Sequence, residues 1–344
     1  MRRLAGVSVC ALLVTVCAVS GSASDRTRLR AAPAAAERDD GCAPDPAARR
    51  TDPGGRPHDR ADLGQDQVVA MLGDLRRTLH DRFGTSDERR LDSTLRRARR
   101  IVVPVRFHVV HSGSKGRLSK KDVRRQISTL NAAYGGKKGG ADTRVRFRLA
   151  GYDRTGDSAW FHHPRKHESP MKKRLRKGGR RTLNVYTAAV GTDVLGYSTF
   201  PQWYRKDPRM DGVVIDYRSL PGGSFQRFDR GYTAVHEIGH WLGLFHTFEN
   251  GCSSPGDGVA DTPYEARPAQ GCPHSRDTCP QKGRDPVHNF MDYAHDACMR
   301  EFTAGQGRRI RAAWAAYRSR RSDHRSVDLG TREAAGARSV GGAR

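Results

Sequence analysis

The stretch "HEIGHWLGLFH", residues 236–246, sets three histidines and one glutamate around a glycine. On a helix His236 and His240 share a face, with Cβ atoms roughly 5–6 Å apart, so both imidazoles can reach one ion. Glu237 stands one step round, poorly placed to coordinate directly but able to act as general base toward a zinc-bound water. Gly243 permits the positive φ that ends a helix, and His246 can then swing back as a third ligand. Three protein ligands leave one position open for water, which a hydrolytic zinc site needs. A histidine on an apolar helix is more often structural, but here five positions with distinct roles agree in spacing. The expectation is one catalytic Zn2+ held by His236, His240 and His246, with Glu237 as the base.

The surrounding chain of 344 residues has room for one sizeable domain and extra segments. Its formal charge of +25 comes mostly from arginine spread along the whole length. The densest basic run, "KKRLRKGGRR" at Lys172–Arg181, contains no aromatic residue on which a base could stack. It reads as a solvated basic loop, and no nucleic-acid partner is expected. At the start, "MRR" precedes an apolar run from Leu4 to Val19 and the small residues "SGSAS". That is the layout of a secretory signal peptide, residues 1–23, and the run is short for a membrane span. No later segment is apolar enough to cross a bilayer, so the expectation is an exported, soluble protein without a membrane anchor. Outside the signal remain Cys42, Cys252, Cys272, Cys279 and Cys298. Four of these cluster after the histidine motif, and in an oxidising compartment they suggest two disulfides, for which sequence alone allows three pairings.

Residues 24–62 lack apolar periodicity and read as unfolded. Val68, Leu72, Leu75 and Leu79 then recur at helical spacing, before the basic cluster "LRRARR" at 95–100. Residues 24–100 together read as a pro-segment. From Ile101, "IVVPVRFHVVHS" changes the texture to a β-branched strand. Ser119 with Asp122 opens a helix whose apolar side is Val123, Ile127, Leu130 and Tyr134. Strands are expected at 144–150, 182–188 and 213–217, and the motif helix at 232–242. Beyond it lies a stretch rich in Gly, Pro, Asp and Cys with little regular structure. A closing helix starts at a Thr303–Gln306 capping box, with Ile310, Trp314 and Tyr317 along one side. Residues 321–344 read as a disordered tail.

The full pattern His-Glu-x-x-His-x-x-Gly-x-x-His, followed by "HNFMDY" at 288–293, resembles the metzincin zinc metallopeptidases. The resemblance makes Met291 the methionine of the turn beneath the metal, and Tyr293 the tyrosine that stabilises the transition state. The flanks are similar to the pappalysin family over residues 101–317, through "VPVRFHVVH", "LGYSTFP", "DGVVIDYRS", "HEIGHWLGLFHTF", "GDGVADTP", "DPVHNFMDY" and "CMREFTAGQ". This implies an α+β, two-lobed catalytic domain over 101–320. The upper lobe, 101–243, would hold a twisted mixed sheet and two helices, the second carrying the zinc motif. The lower lobe, 244–320, would be irregular and disulfide-bonded.

The family also implies that "LGYSTFP", Leu195–Pro201, binds substrate backbone by strand addition; the alternative is a plain edge strand. It implies the pairings Cys252–Cys279 and Cys272–Cys298. Asp257, Asp261 and Thr262 match a stretch that binds Ca2+ in a member of the family, although Asp and Gly are also common in plain turns. Asp296 would sit in the pocket for the residue after the scissile bond and favour Arg or Lys there. "GCAPD", around Cys42, resembles the cysteine switch of the matrixins, in which a pro-segment thiolate takes the fourth zinc position. An unpaired thiol or an intermolecular disulfide is the other reading of Cys42. Arg49–Arg50 and Arg96–Arg100 offer sites for removing the pro-segment, by self-cleavage if Arg is preferred after the cut bond.

The expectation is a secreted, monomeric zinc endopeptidase, made as a latent zymogen and acting on protein or peptide substrates. A thermolysin-like enzyme would take its third ligand from a downstream glutamate, which Gly243 and His246 argue against. A secreted basic binding protein with an inert zinc site would have no need of Glu237 beside its ligands.

Overall fold

The computed structural model describes residues 48–51, 57–59, 63–97, 100–191 and 194–319. The expected signal peptide, Cys42 and the tail from 321 lie outside the described residues. Strands β1 (Ala48–Thr51) and β2 (Pro57–Asp59) form an antiparallel hairpin. Helices α1 (Gln65–Phe83) and α2 (Glu88–Arg97) follow, and Gly84 with φ 71° ends the first. Strand β3 (Ile101–His111) buries Val103, Val105, Phe107 and Val109 completely on one face, the period of two that its β-branched run predicts. Helix α3 (Lys120–Tyr134) starts at a capping box, with Ser119 N donating to Asp122 Oδ2 at 2.8 Å and Asp122 N to Ser119 Oγ at 3.3 Å.

Next come β4 (Val145–Gly156), α4 (Ser158–His162), α5 (Glu168–Leu175), β5 (Leu183–Ala188), β6 (Val194–Ser198) and β7 (Val213–Asp216). The motif helix is α6 (Tyr232–Trp241), and α7 (Ala304–Ala313) continues into a wider turn over Trp314–Arg318. One seven-stranded sheet runs in the order β2-β1-β6-β7-β5-β3-β4. Strands β4, β3, β5 and β7 are mutually parallel, whereas β6 is antiparallel to β7 and β1 antiparallel to β6. The sheet is therefore mixed, with helices on it, as the α+β reading requires.

Helices α3 and α6 bury Val123, Leu130, Val235, Ile238 and Trp241 against one face of this sheet. On the opposite face Tyr186, Ala188 and Val214 pack with Phe161 and Met171 from α4 and α5. Here the sequence reading needs correction. Lys172, expected in a solvated basic loop, belongs to α5 and is fully buried. A buried ammonium requires partners. It has them in Glu168, 2.5 Å away one turn back, and in the carbonyl of Met210 at 2.9 Å.

Helix α2 goes beyond the sequence reading, because two leucines one turn apart, Leu91 and Leu95, are too short an apolar stripe among charges to mark a helix. With α1 it lies along α7 and the turn that follows it, where Leu75, Leu79 and Leu91 pack on Ala312, Ala313 and Ala316. Two ion pairs of 2.6 Å, Arg309–Glu88 and Arg311–Asp92, close the seam. Ile310 and Trp314 face the main core, while Tyr317 turns toward α1 and donates to Asp74 Oδ2 at 2.8 Å. Leu79 is completely buried, so Leu79→Ala should destabilise the protein by about 2–5 kcal/mol. Urea unfolding of the two chains checks this, and an unchanged midpoint would show that the seam is not part of the cooperative core.

Candidate active site

Helix α6 begins at Gly231, whose φ of 81° turns the chain in, and all ten of its residues are buried. Every polar side chain on it must therefore meet a partner. His236 Nδ1 lies 2.8 Å from the carbonyl oxygen of Phe290, and His240 Nδ1 lies 2.8 Å from that of Leu244. A carbonyl can only accept, so both protons sit on Nδ1 and both Nε2 lone pairs point inward. Those two Nε2 atoms are 3.1 Å apart. Two lone pairs held that close repel unless a cation lies between them. Ligands 2.0–2.1 Å from a tetrahedral ion would stand about 3.3 Å from each other.

Gly243, at φ 97°, makes the turn that the sequence predicted. His246 returns beside the other two with Nδ1 3.2 Å from Glu249 Oε2, which again leaves Nε2 facing inward. Ligand atoms of His236, His240 and His246 all lie within 4.8 Å of one another, the single such cluster among the described residues. The donor set, three neutral imidazoles with oriented partners, fits zinc.

Glu237 is fully buried between this cluster and the sheet. Gly196 of β6 lies against it: a Cβ added to Gly196 would come within 3.0 Å of Glu237 Cγ and 3.2 Å of its Oε1. Gly239, inside the motif, has a similar role toward the turn below, since any side chain there would collide with the sulfur of Met291. Met291 is fully buried, and the residue before it supplies the carbonyl that orients His236. Tyr293 is also buried, with its hydroxyl 3.4 Å from His246 Nε2. Phe248 stacks on His246, ring centroids 4.7 Å apart and nearly parallel.

Gly196, Gly239 and Glu249 were missed as contributors by sequence reasoning. For Glu249 a signal existed, since "HTFE" places a carboxylate three residues after His246, the spacing of a ligand and its outer partner. The glycines needed tertiary structure, because what each must avoid comes from a distant segment.

Below the site the cysteines pair as Cys252–Cys279 and Cys272–Cys298, with Cα atoms 5.4 and 5.6 Å apart. Beneath Thr247 lies the fully buried carboxyl of Glu265, 2.8 Å from the Thr247 hydroxyl that donates to it. Burial, reinforced by the charge of Asp292, pushes the Glu265 carboxyl up to about 9, although Arg276 is 2.7 Å away.

A cavity of about 340 Å³ opens between α1, α2 and the loop 254–264. Asp257 and Thr262 meet at its buried floor. Asp257 Oδ1 accepts from Val259 N at 2.9 Å, and burial pushes this carboxyl up to about 7. The Thr262 hydroxyl lies beside it, yet neither Asp257 Oδ2 nor Thr262 Oγ1 makes a well-formed hydrogen bond with any described residue. Asp261 is not brought to the same point. Its carboxylate accepts from Thr303 Oγ1 at 2.8 Å and Gly305 N at 2.7 Å, at the start of α7. Asp296, on the other side of the site, is buried and accepts from Arg230 N at 2.9 Å, while its own N–H donates to Arg227 O at 3.0 Å.

The family profile described as pregnancy-associated plasma protein-A, peptidase family M43, matches residues 184–315. An extracellular metalloprotease of Neurospora crassa is 44% identical over 234 residues, 64% of this chain and 78% of that protein. An extracellular metalloprotease of Arthroderma benhamiae is 39% identical over 235 residues, 66% of this chain and 76% of that one. Among solved structures, mature mirolysin of Tannerella forsythia in complex with a cleaved peptide superposes with a TM-score of 0.56 at 31% identity, covering 65% of this chain and 94% of that one. A promirolysin mutant from the same organism gives 0.57 at 27% identity, covering 75% and 96%.

Proposed function

The chain belongs to the pappalysin family, M43, of metzincin zinc metalloendopeptidases, and we propose that it is a secreted enzyme that cuts proteins and peptides with Glu237 as its proton carrier. The observation that carries this reading is the burial of Glu237 beside three imidazoles whose Nε2 lone pairs converge. His236, His240 and His246 would hold the zinc, which when bound supplies Lewis acidity toward water and the scissile carbonyl. Glu237 takes the proton of the attacking water and hands it to the leaving amine. Tyr293 offers its hydroxyl to the oxyanion that develops on the substrate. Met291 fills the floor under Gly239 and keeps the imidazole pair level. The edge of β6 aligns the substrate backbone by strand addition.

The buried charge of Asp296 selects Arg or Lys after the scissile bond. Digestion of an unfolded protein mixture by the processed enzyme tests both parts, with cuts expected before Arg and Lys. Cuts made without regard to the following residue would remove Asp296 from the account. A zinc-loaded, processed enzyme that makes no cuts would overturn the reading as a whole.

The same reading makes residues 1–23 a signal peptide, 24–100 a pro-segment, 101–320 the catalytic domain and 321–344 a tail. Latency of this chain is supported by the promirolysin neighbour, and Cys42 is a candidate to occupy the fourth zinc position. Among the described residues no helix is long and apolar enough to cross a membrane.

Calcium is proposed on the floor formed by Asp257 and Thr262, with Asp261 adding negative charge nearby. Without the ion, the folded state keeps a proton on Asp257 up to about pH 7, well above its ordinary value. That group's contribution to stability is therefore present at low pH and lost as pH rises toward 7. Calcium replaces the proton, so the gain in Tm on adding it should be small at pH 5 and large at pH 8. At a hundredfold excess over Kd the stability added by the ion amounts to about 2.7 kcal/mol. Calorimetry with calcium and with chelator checks this, and a gain independent of pH would rule out Asp257 as a ligand.

A further inference from the structure

The far end of β6 opens onto a strongly basic face. Ser198 closes the strand, and Pro201–Arg205 follows as a single tight helical turn. Ring contacts link this turn to the metal site. Phe200 lies 5.3 Å from the His240 ring, centroid to centroid, and Trp203 stands edge-on to Phe200 at 5.1 Å. The next residue, Tyr204, carries the Arg176 guanidinium 5.6 Å from its ring centre. Arg176 belongs to the loop after α5, so loop and turn form one surface. Lys172 Nζ adds a second tie by donating to Met210 O at 2.9 Å.

Exposed cations crowd both halves of that surface. Lys173, Arg174, Lys177, Arg180 and Arg181 come from the end of α5 and its loop. Arg205, Lys206 and Arg209 come from the turn and the residues after it. The one acid in 173–182 and 201–210 is Asp207. The loop backbone is pinned: Lys177 N donates to Asn184 Oδ1 at 2.9 Å, Asn184 Nδ2 to Lys177 O at 3.0 Å, and Arg318 Nη1 to Arg180 O at 2.8 Å. Like charges held on a fixed frame repel one another, and a polyanion that fits them relieves the repulsion.

We infer that this surface docks an acidic stretch of the substrate on the N-terminal side of the scissile bond. The inference rests on the peptidase reading and adds a substrate class to it. Its polarity comes from the β6 edge. A strand added there lies antiparallel, as β1 does with Ala48 opposite Tyr197 and Arg50 opposite Val194. A substrate laid the same way has the bond to be cut near Gly196, beside Glu237. Its earlier residues then run past Ser198 toward the turn and meet the cations several residues upstream of the cut. Nucleic acid fits less well, because Trp203 and Tyr204, the aromatics at this face, are already occupied by Phe200 and Arg176.

Two measurements test this. The processed enzyme is given peptides that share one cleaved sequence and carry a run of glutamates before the cut, a run of serines there, or the glutamates after the cut. The first is expected to show the lowest KM, by about five- to tenfold against the serine peptide, with kcat unchanged. Roughly 0.5 M salt should erase the difference. Lys177→Glu/Arg180→Glu/Arg205→Glu should erase it too, while cutting the serine peptide as before. Separately, the full-length, zinc-loaded Glu237→Gln chain, on which this face is exposed, is titrated with a fluorescent oligoglutamate and with a single-stranded oligonucleotide. Oligoglutamate should bind, and bind far less once the three charges are reversed. Equal KM for the three peptides, or an equal advantage from glutamates on either side of the cut, would overturn the inference. Retention of the oligonucleotide alone would overturn it as well. If the processed enzyme cuts none of the peptides, the peptidase reading falls, and the titration still decides whether this face takes an acidic chain.

Discussion

Glu237→Gln is expected to lower kcat on an unfolded protein substrate by about 10²–10⁴-fold, the usual weight of a positioned general base. Zinc content should not change, because the three imidazoles take their orientation from Phe290 O, Leu244 O and Glu249 and not from Glu237. The amide has nearly the shape of the carboxylate, so the fit of Gly196 against the side chain is kept. What is lost is the ability to accept a proton. Paired measurements of activity and bound zinc separate the outcomes. Loss of activity with equal zinc supports the proton carrier, while loss of both would make Glu237 a structural support of the metal site. Activity retained would assign the base to another group.

The second large effect lies behind the site. Arg318, 1% exposed, sits with its guanidinium carbon 3.5 Å from the ring centroid of Trp241, the last residue of α6. Its Nη2 donates to Asp211 Oδ1 and to Trp241 O, both at 3.0 Å. Trp241 Nε1 donates to the same Asp211 oxygen at 3.1 Å. Burial lowers the Arg318 pKa and the charge of Asp211 opposes it. Removing one partner strands a buried charge, so Arg318→Leu should cost about 3–5 kcal/mol. Asp211→Asn should be costly for the same reason. Chemical denaturation of both single variants and of Arg318→Leu/Asp211→Leu checks this. The double variant should lose less than the sum of the singles. Strictly additive losses would mean that the two side chains act independently.

Much of this site was legible in the sequence because its chemistry is local. His236, Glu237 and His240 lie on one helix with fixed spacing, and Gly243 and His246 follow within one turn. The capping boxes at Ser119 and Thr303 were equally readable, since each is closed by residues three apart. The illegible parts have partners from elsewhere in the chain. Lys172 looked like surface because the carbonyl it needs belongs to Met210. Asp261 looked like a companion of Asp257, but its carboxylate accepts from the Thr303 hydroxyl and the Gly305 N–H at the start of α7. Strand β1 gives almost no signal at all. Its register with β6 runs over only three residue pairs, and a short segment without apolar alternation carries no period to detect.

The lock on Trp241 has a consequence for biosynthesis. The helix bearing His236, Glu237 and His240 is held at its end by a guanidinium that leaves the ribosome 77 residues after the tryptophan it covers. During synthesis the motif is thus made long before its support. A nascent chain stopped between residues 246 and 318 would have the whole histidine signature and still lack a firm motif helix. Proteolytic competence would then arrive only after residue 318 has been made.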